Sequence, residues 1–194
     1  MDAKRPRNDE EALIESAFVN LEKLLKELDE KREAVIKRSR DVQKAAKQAI
    51  YALQRQDMKR ADDLLVTCET ILSKELLPAV EKDPELRYGS VSNCCEEYAE
   101  GVIFRHYLAH DYLWLPMTMD QFTLKLTPDE YLGGLFDATG EIQRHAVVQA
   151  TKRDVKTVER ARAYVDFVRM VPSPREGACT DKANVAGHGA RTTV

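Results

Sequence analysis

Apolar residues recur at helical spacing from about Asp9 to Arg55, a stretch with no Gly or Pro: Leu13, Phe18, Leu21, Leu24, Leu25 and Leu28, then Val35, Val42, Ala46, Ala49 and Leu53. The pattern predicts one very long helix, or two with a small break near Asp29–Lys31. A second helix is expected from about Met58 to Leu77, with Leu65, Cys68, Leu72 and Leu76 as its core side and Pro78 near its end. Pro84, Gly89 and Ser90 mark a turn region, and a third helix is expected from about Ser92 to Trp114, ending near Pro116. Thr127-Pro128-Asp129-Glu130 is a helix start: Thr at the cap, Pro in the first turn and Glu three residues after the cap. That helix should run to about Thr151, and another from about Asp154 to Met170, stopped by Pro172 and Pro174. The reading is all-α: one helical domain over residues 9–172, a flexible polar lead over 1–8 and a disordered tail over 173–194.

Composition narrows this further. The chain has 194 residues, 43% hydrophobic and 32% charged, enough to bury a core beneath a densely charged surface. Eight Gly and seven Pro are too few for a many-stranded sandwich or barrel. The longest apolar runs are a few residues, such as Val102–Phe104, so no membrane span or signal peptide is expected and the expected location is the cytoplasm. Cys68, Cys94 and Cys95 then read as ordinary buried thiols, because no CxxC spacing suggests zinc.

The net charge of −3 conceals blocks of opposite sign. Residues 1–30 sum to −4, 31–60 to +7, 61–141 to −11 and 142–172 to +4. Asymmetry of this size suggests separate faces with separate partners. Within the basic block, Lys37, Arg40, Lys44, Lys47 and Arg55 fall within roughly 80° on a helical wheel, with Tyr51 among them. A basic row with an interleaved aromatic suits a phosphate backbone whose bases are free to stack; the alternative is a solvated helix face.

Two acidic pairs stand out. Glu97 and Glu100, three apart on the third helix, lie within roughly 60° of each other. Asp137 and Glu141, four apart, share a face with Gly133, Gly134 and Gly140, and Arg144 follows one turn on. Glycines inside a helix each cost about 0.5–1 kcal/mol relative to Ala, which points to close approach of another backbone or of a ligand. Four carboxylates from two helices could converge on one hard cation, Mg²⁺ or Mn²⁺. Helix packing at the glycines with solvated acids is the competing reading. A ferritin-like di-iron bundle fits poorly, because Glu141 and His145 are four apart where that class uses Glu-x-x-His.

Glu97-Tyr98-Ala99-Glu100-Gly101-Val102, running on to His106, and Leu126 to Glu141 with its Tyr-Leu-Gly…Asp…Thr-Gly-Glu element resemble the translin superfamily, and its TRAX (translin-associated factor X) branch more than translin itself. Lys37-Arg38-Ser39-Arg40-Asp41 also fits, and the similarity covers roughly residues 15–171. The resemblance implies a seven-helix fold assembled into a hollow octameric barrel around RNA or single-stranded DNA. It also implies Mg²⁺-dependent endoribonuclease activity, with the acidic positions falling on Glu97, Glu100, Asp137 and Glu141. Lys37, Arg40, Lys44, Lys47, Tyr51 and Arg144 would then hold nucleic acid, either single-stranded or a short RNA duplex. The chain is similar to a compact, archaeal-type form that assembles with itself or with a translin-like chain. A non-catalytic binding module of the same barrel type is the alternative.

Overall fold

In a computed structural model of the chain, residues 9–110 and 115–170 are described. The lead and the tail anticipated from the sequence lie outside them. Helix α1, Asp9–Gln54, is a single 46-residue helix with no break at Asp29–Lys31. Its two halves differ. Val42, Ala46, Ala49 and Leu53 are fully buried, whereas Leu13 and Phe18 are 75% and 66% exposed. A 46-residue helix spans about 69 Å, while the 24-residue helix that follows later reaches about 36 Å, so among the described residues the first half of α1 has no element long enough to pack along it.

Helix α2, Met58–Ile71, is capped by Asp57, whose carboxylate accepts the Arg60 N–H. It does not stop at Leu77: a π-helical turn over Leu72–Leu76 carries it into α3, Leu77–Lys82. Pro78 supplies the reason. A proline within a regular helix lacks the N–H and collides with the carbonyl four residues back, and the wider turn, in which the Leu77 N–H reaches the Leu72 carbonyl, makes room for it. A 3₁₀ turn over Pro84–Arg87 leads to α4, Ser90–Ala109, which begins after Gly89 at φ +81°. Helix α5, Pro128–Thr151, and α6, Val155–Arg169, complete the described fold, which contains no strand among those residues.

Helix α4 is central, packed against α1, α2 and α5, with α6 laid on α5. Its Tyr98, Ile103, Phe104 and Tyr107 are buried with Leu135, Ile142 and Tyr164, and Cys68, Cys94 and Cys95 are free thiols buried in the same core. The start of α5 is fixed from both sides. Thr127 and Glu130 form the reciprocal cap, and the fully buried Glu130 carboxylate also accepts two hydrogen bonds from Arg87, at 2.9 and 2.6 Å. Among the described residues no helix is long and apolar enough to cross a membrane.

Candidate functional site

The acids meet where α4 and α5 touch. Gly134 sits so close to α4 that an added Cβ would stand 2.5 Å from Ala99 Cβ, 2.8 Å from the Glu96 carbonyl oxygen and 2.9 Å from the Glu100 nitrogen. At Gly133 a Cβ would meet the Glu96 side chain at 2.9 Å. Close backbone approach therefore accounts for Gly134, whereas Gly133 is faced by the Glu96 side chain. Gly140 has nothing within 4 Å of its position, and helix packing does not explain it. The contact lays the Glu97–Glu100 turn of α4 beside the Asp137–Glu141 turn of α5.

The consequence is electrostatic. Burial first, then repulsion from Asp137, Glu97 and Glu141, pushes the Glu100 carboxyl up to about 7, with Lys47 acting in the opposite direction. One lysine does not balance three carboxylates. The folded chain holds this proton more tightly than the unfolded chain does. Its contribution to stability is therefore complete below the ordinary value of 4.5 and is lost as pH rises to about 7. In metal-free buffer, Glu100→Gln is expected to remove that decline, so that urea melts between about pH 5 and pH 8 show the variant gaining on the parent. An unchanged pH slope would contradict this.

The other acids have partners of their own. Glu97 receives Lys47 Nζ at 3.0 Å, and this contact holds the ammonium above its ordinary range. Gln54 Nε2 donates to Glu141 Oε2 at 2.7 Å and to the Glu141 carbonyl at 3.0 Å, while Arg144 lies 3.6 Å from the same carboxylate. Asp137 is exposed. Gln54 is a site residue that the sequence reading missed. It is 87 positions from Glu141, and only a long-range contact brings the two together.

Among the described residues no group of three or more His, Cys, Asp or Glu side chains is gathered tightly enough to hold a metal ion. The partners just named account for this, since Glu97 and Glu141 are turned toward cationic or amide groups of the chain itself. The chemistry of the set still fits a hard divalent cation: four oxygen donors, excess negative charge, and a half-buried carboxyl that a nearby cation would deprotonate.

The basic row runs along the outside of α1. Lys37, Arg40, Lys44, Lys47, Tyr51 and Arg55 are all exposed, and the Arg55 guanidinium lies 5.6 Å from the Tyr51 ring centroid. The Lys37–Asp41 segment divides its work. Ser39 turns into the core and Arg38 binds Glu75 and Asp41, while Lys37 and Arg40 face outward. Where the row reaches the acids, Lys47, Tyr51, Gln54, Glu141 and Arg144 line a groove of about 350 Å³. Three of the predicted nucleic-acid residues, Lys47, Tyr51 and Arg144, thus share this groove with one of the predicted acids.

The Translin family pattern matches residues 30–175. The translin-associated protein X homolog of Schizosaccharomyces pombe is 27% identical over 166 residues, spanning 80% of this chain and 70% of that protein. The AfC3PO–duplex RNA complex has a chain of the same fold, with TM-score 0.68 and 20% identity over 86% of each chain. Apo-NeC3PO gives 0.66 and 20% identity, covering 91% of this chain and 89% of that one.

Proposed function

The chain belongs to the translin family as a TRAX-like member, and from that premise and the geometry of its acids we propose that it is a divalent-metal-dependent endoribonuclease acting on single-stranded RNA. The observation that carries the reading is the meeting of two acidic pairs across the Gly134–Ala99 contact, at the end of an exposed basic row. Glu97, Glu100, Asp137 and Glu141 would hold Mg²⁺, with Mn²⁺ as an alternative. A divalent ion so placed neutralises charge on a phosphodiester and lowers the pKa of a nearby water. The chain supplies the rest. Lys37, Arg40 and Lys44 track the backbone phosphates by charge. Tyr51, 64% exposed, offers a face for a base to stack on. Arg144, 3.6 Å from the Glu141 carboxylate, would offset negative charge developing on a phosphate. Gln54 fixes the orientation of Glu141.

The exposed apolar face of α1 supports assembly, because a stripe from Leu13 to Leu28 this open to water calls for a partner surface. We take that partner to be other copies of the chain, forming a hollow octamer, or a translin-like chain. The presence of duplex RNA in the AfC3PO complex supports RNA as the class of ligand.

The ion pairs at Glu97 and Glu141 favour a second reading, in which the barrel holds nucleic acid without cutting it. One experiment separates the two. The full chain, sized by light scattering, is incubated with end-labelled single-stranded RNA in Mg²⁺ or in EDTA. Cleavage in Mg²⁺ alone by a multi-copy species is expected. Binding without cleavage in either buffer would select the second reading, and a species near the chain mass of 22.1 kDa would remove the barrel.

A further inference from the structure

A second cavity, of about 320 Å³, opens between the end of α1, α5 and α6, and none of the four carboxylates borders it. Gln56, His145, Gln149, Lys156 and Arg160 are among its walls. His145 and Gln149, one turn apart on α5, are only 6% and 7% exposed. Neither side chain has a hydrogen-bond partner among the described residues; the ring neighbour of His145 is Phe104, edge-on at 6.3 Å. Both side chains are thus more than nine-tenths buried while their polar atoms open onto the cavity, where a polar ligand can take the place of water.

The charge around the cavity says which ligand. Arg160 is held in position by donating to the Tyr107 hydroxyl at 3.2 Å and the His110 carbonyl at 3.0 Å, and its guanidinium lies 4.2 Å from the Tyr107 ring centroid. Lys156 adds a second positive charge at the rim. Asp154 is the acid on the wall, and its carboxylate caps α6 by accepting the Thr157 N–H at 3.1 Å and the Thr157 hydroxyl at 2.6 Å. Burial first, then Arg160 and Lys152, holds His145 below its ordinary value against the opposing pull of Asp154, so the imidazole is neutral at pH 7, with one donor and one acceptor.

We propose that this cavity binds a small phosphate-bearing anion, either inorganic phosphate or a phosphate monoester such as a nucleoside 5′-monophosphate. Its volume is at the small end of the roughly 300–1,000 Å³ range of ligand sites and excludes an oligonucleotide. A tetrahedral anion has enough oxygens for Arg160, Lys156, Gln149 and the His145 N–H together. Phosphate monoesters have a second pKa of about 6, so a protonated fraction can also donate to the neutral imidazole nitrogen. The site stands on its own observations and does not depend on the nuclease reading.

Calorimetric titration of the full chain in EDTA, where the acidic site holds no cation, tests it with inorganic phosphate, adenosine 5′-monophosphate and adenosine. One phosphate-bearing ligand per chain is expected to bind, and adenosine is not. Tighter binding of the monophosphate would identify a nucleotide site; equal affinities would identify a site for phosphate itself. Gln149→Leu and Lys156→Gln should each weaken binding at least tenfold with circular dichroism unchanged, and Asp137→Asn should leave it intact. No binding of either phosphate at millimolar concentration, equal binding of adenosine, or affinities unmoved by both substitutions would overturn the proposal. Because Lys156 is exposed and Gln149→Leu replaces an unpaired amide by an apolar group of similar size, neither variant is expected to unfold the chain.

Discussion

Gly134→Ala is expected to destabilise the fold by roughly 3 kcal/mol, whereas Gly140→Ala on the same helix is expected to stabilise it by about 0.5–1 kcal/mol. The two substitutions add the same methyl group and gain the same helix propensity. They differ in what the methyl meets. At Gly134 it would stand 2.5 Å from Ala99 Cβ and under 3 Å from two backbone atoms of α4, none of which can rotate away, so the helices must separate. At Gly140 it meets nothing. Separation of α4 and α5 also parts the acids, so Gly134→Ala should return the Glu100 carboxyl toward its ordinary range. Urea melts of the two variants check the signs. Equal effects at the two positions would mean that the close approach of α4 and α5 is not what Gly134 is for.

Asp137→Asn is expected to reduce Mg²⁺-dependent RNA cleavage on the order of a thousandfold while leaving RNA binding nearly unchanged. The side chain is exposed and takes no hydrogen bond or ion pair among the described residues, so the neutral isostere should fold normally. What it loses is one of the carboxylates that repel Glu100 and would balance a cation. Several kcal/mol of charge stabilisation, at about 1.4 kcal/mol per factor of ten, gives the expected size. Lys37, Arg40 and Lys44 are untouched, so affinity for RNA should persist. Single-turnover cleavage alongside filter binding makes the comparison.

Features governed by local rules were legible in the sequence. The cap at Thr127–Glu130 is one, because its residues bond within a single turn. The sides of α1 after Val35 and of α2 are others, since the 3.6-residue period sets both. Features that depend on distant residues were not legible. Nothing near Glu130 in the chain announces that it will be fully buried on Arg87, 43 positions away. Gln54, an unremarkable amide at the end of α1, gains its role only when α5 arrives beside it. The stripe from Leu13 to Leu28 shows the same gap from the other side. Periodicity says that a helix has an apolar face, but not whether this chain or another covers it. The acidic pairs fall between these cases. Spacing placed each pair on one face, while Gly134 decided that the two faces touch.

The central claim is that these four carboxylates hold a divalent cation. Electron paramagnetic resonance of Mn²⁺ titrated into the full chain without RNA tests it most directly, because free Mn²⁺ gives a signal that binding suppresses. The parent chain is predicted to suppress the signal at one saturable site, more strongly above about pH 7, where Glu100 is ionised, than below it. Asp137→Asn is predicted to weaken that binding at least tenfold. Equal Mn²⁺ binding by the parent and by the double variant Glu100→Gln/Asp137→Asn would contradict the account.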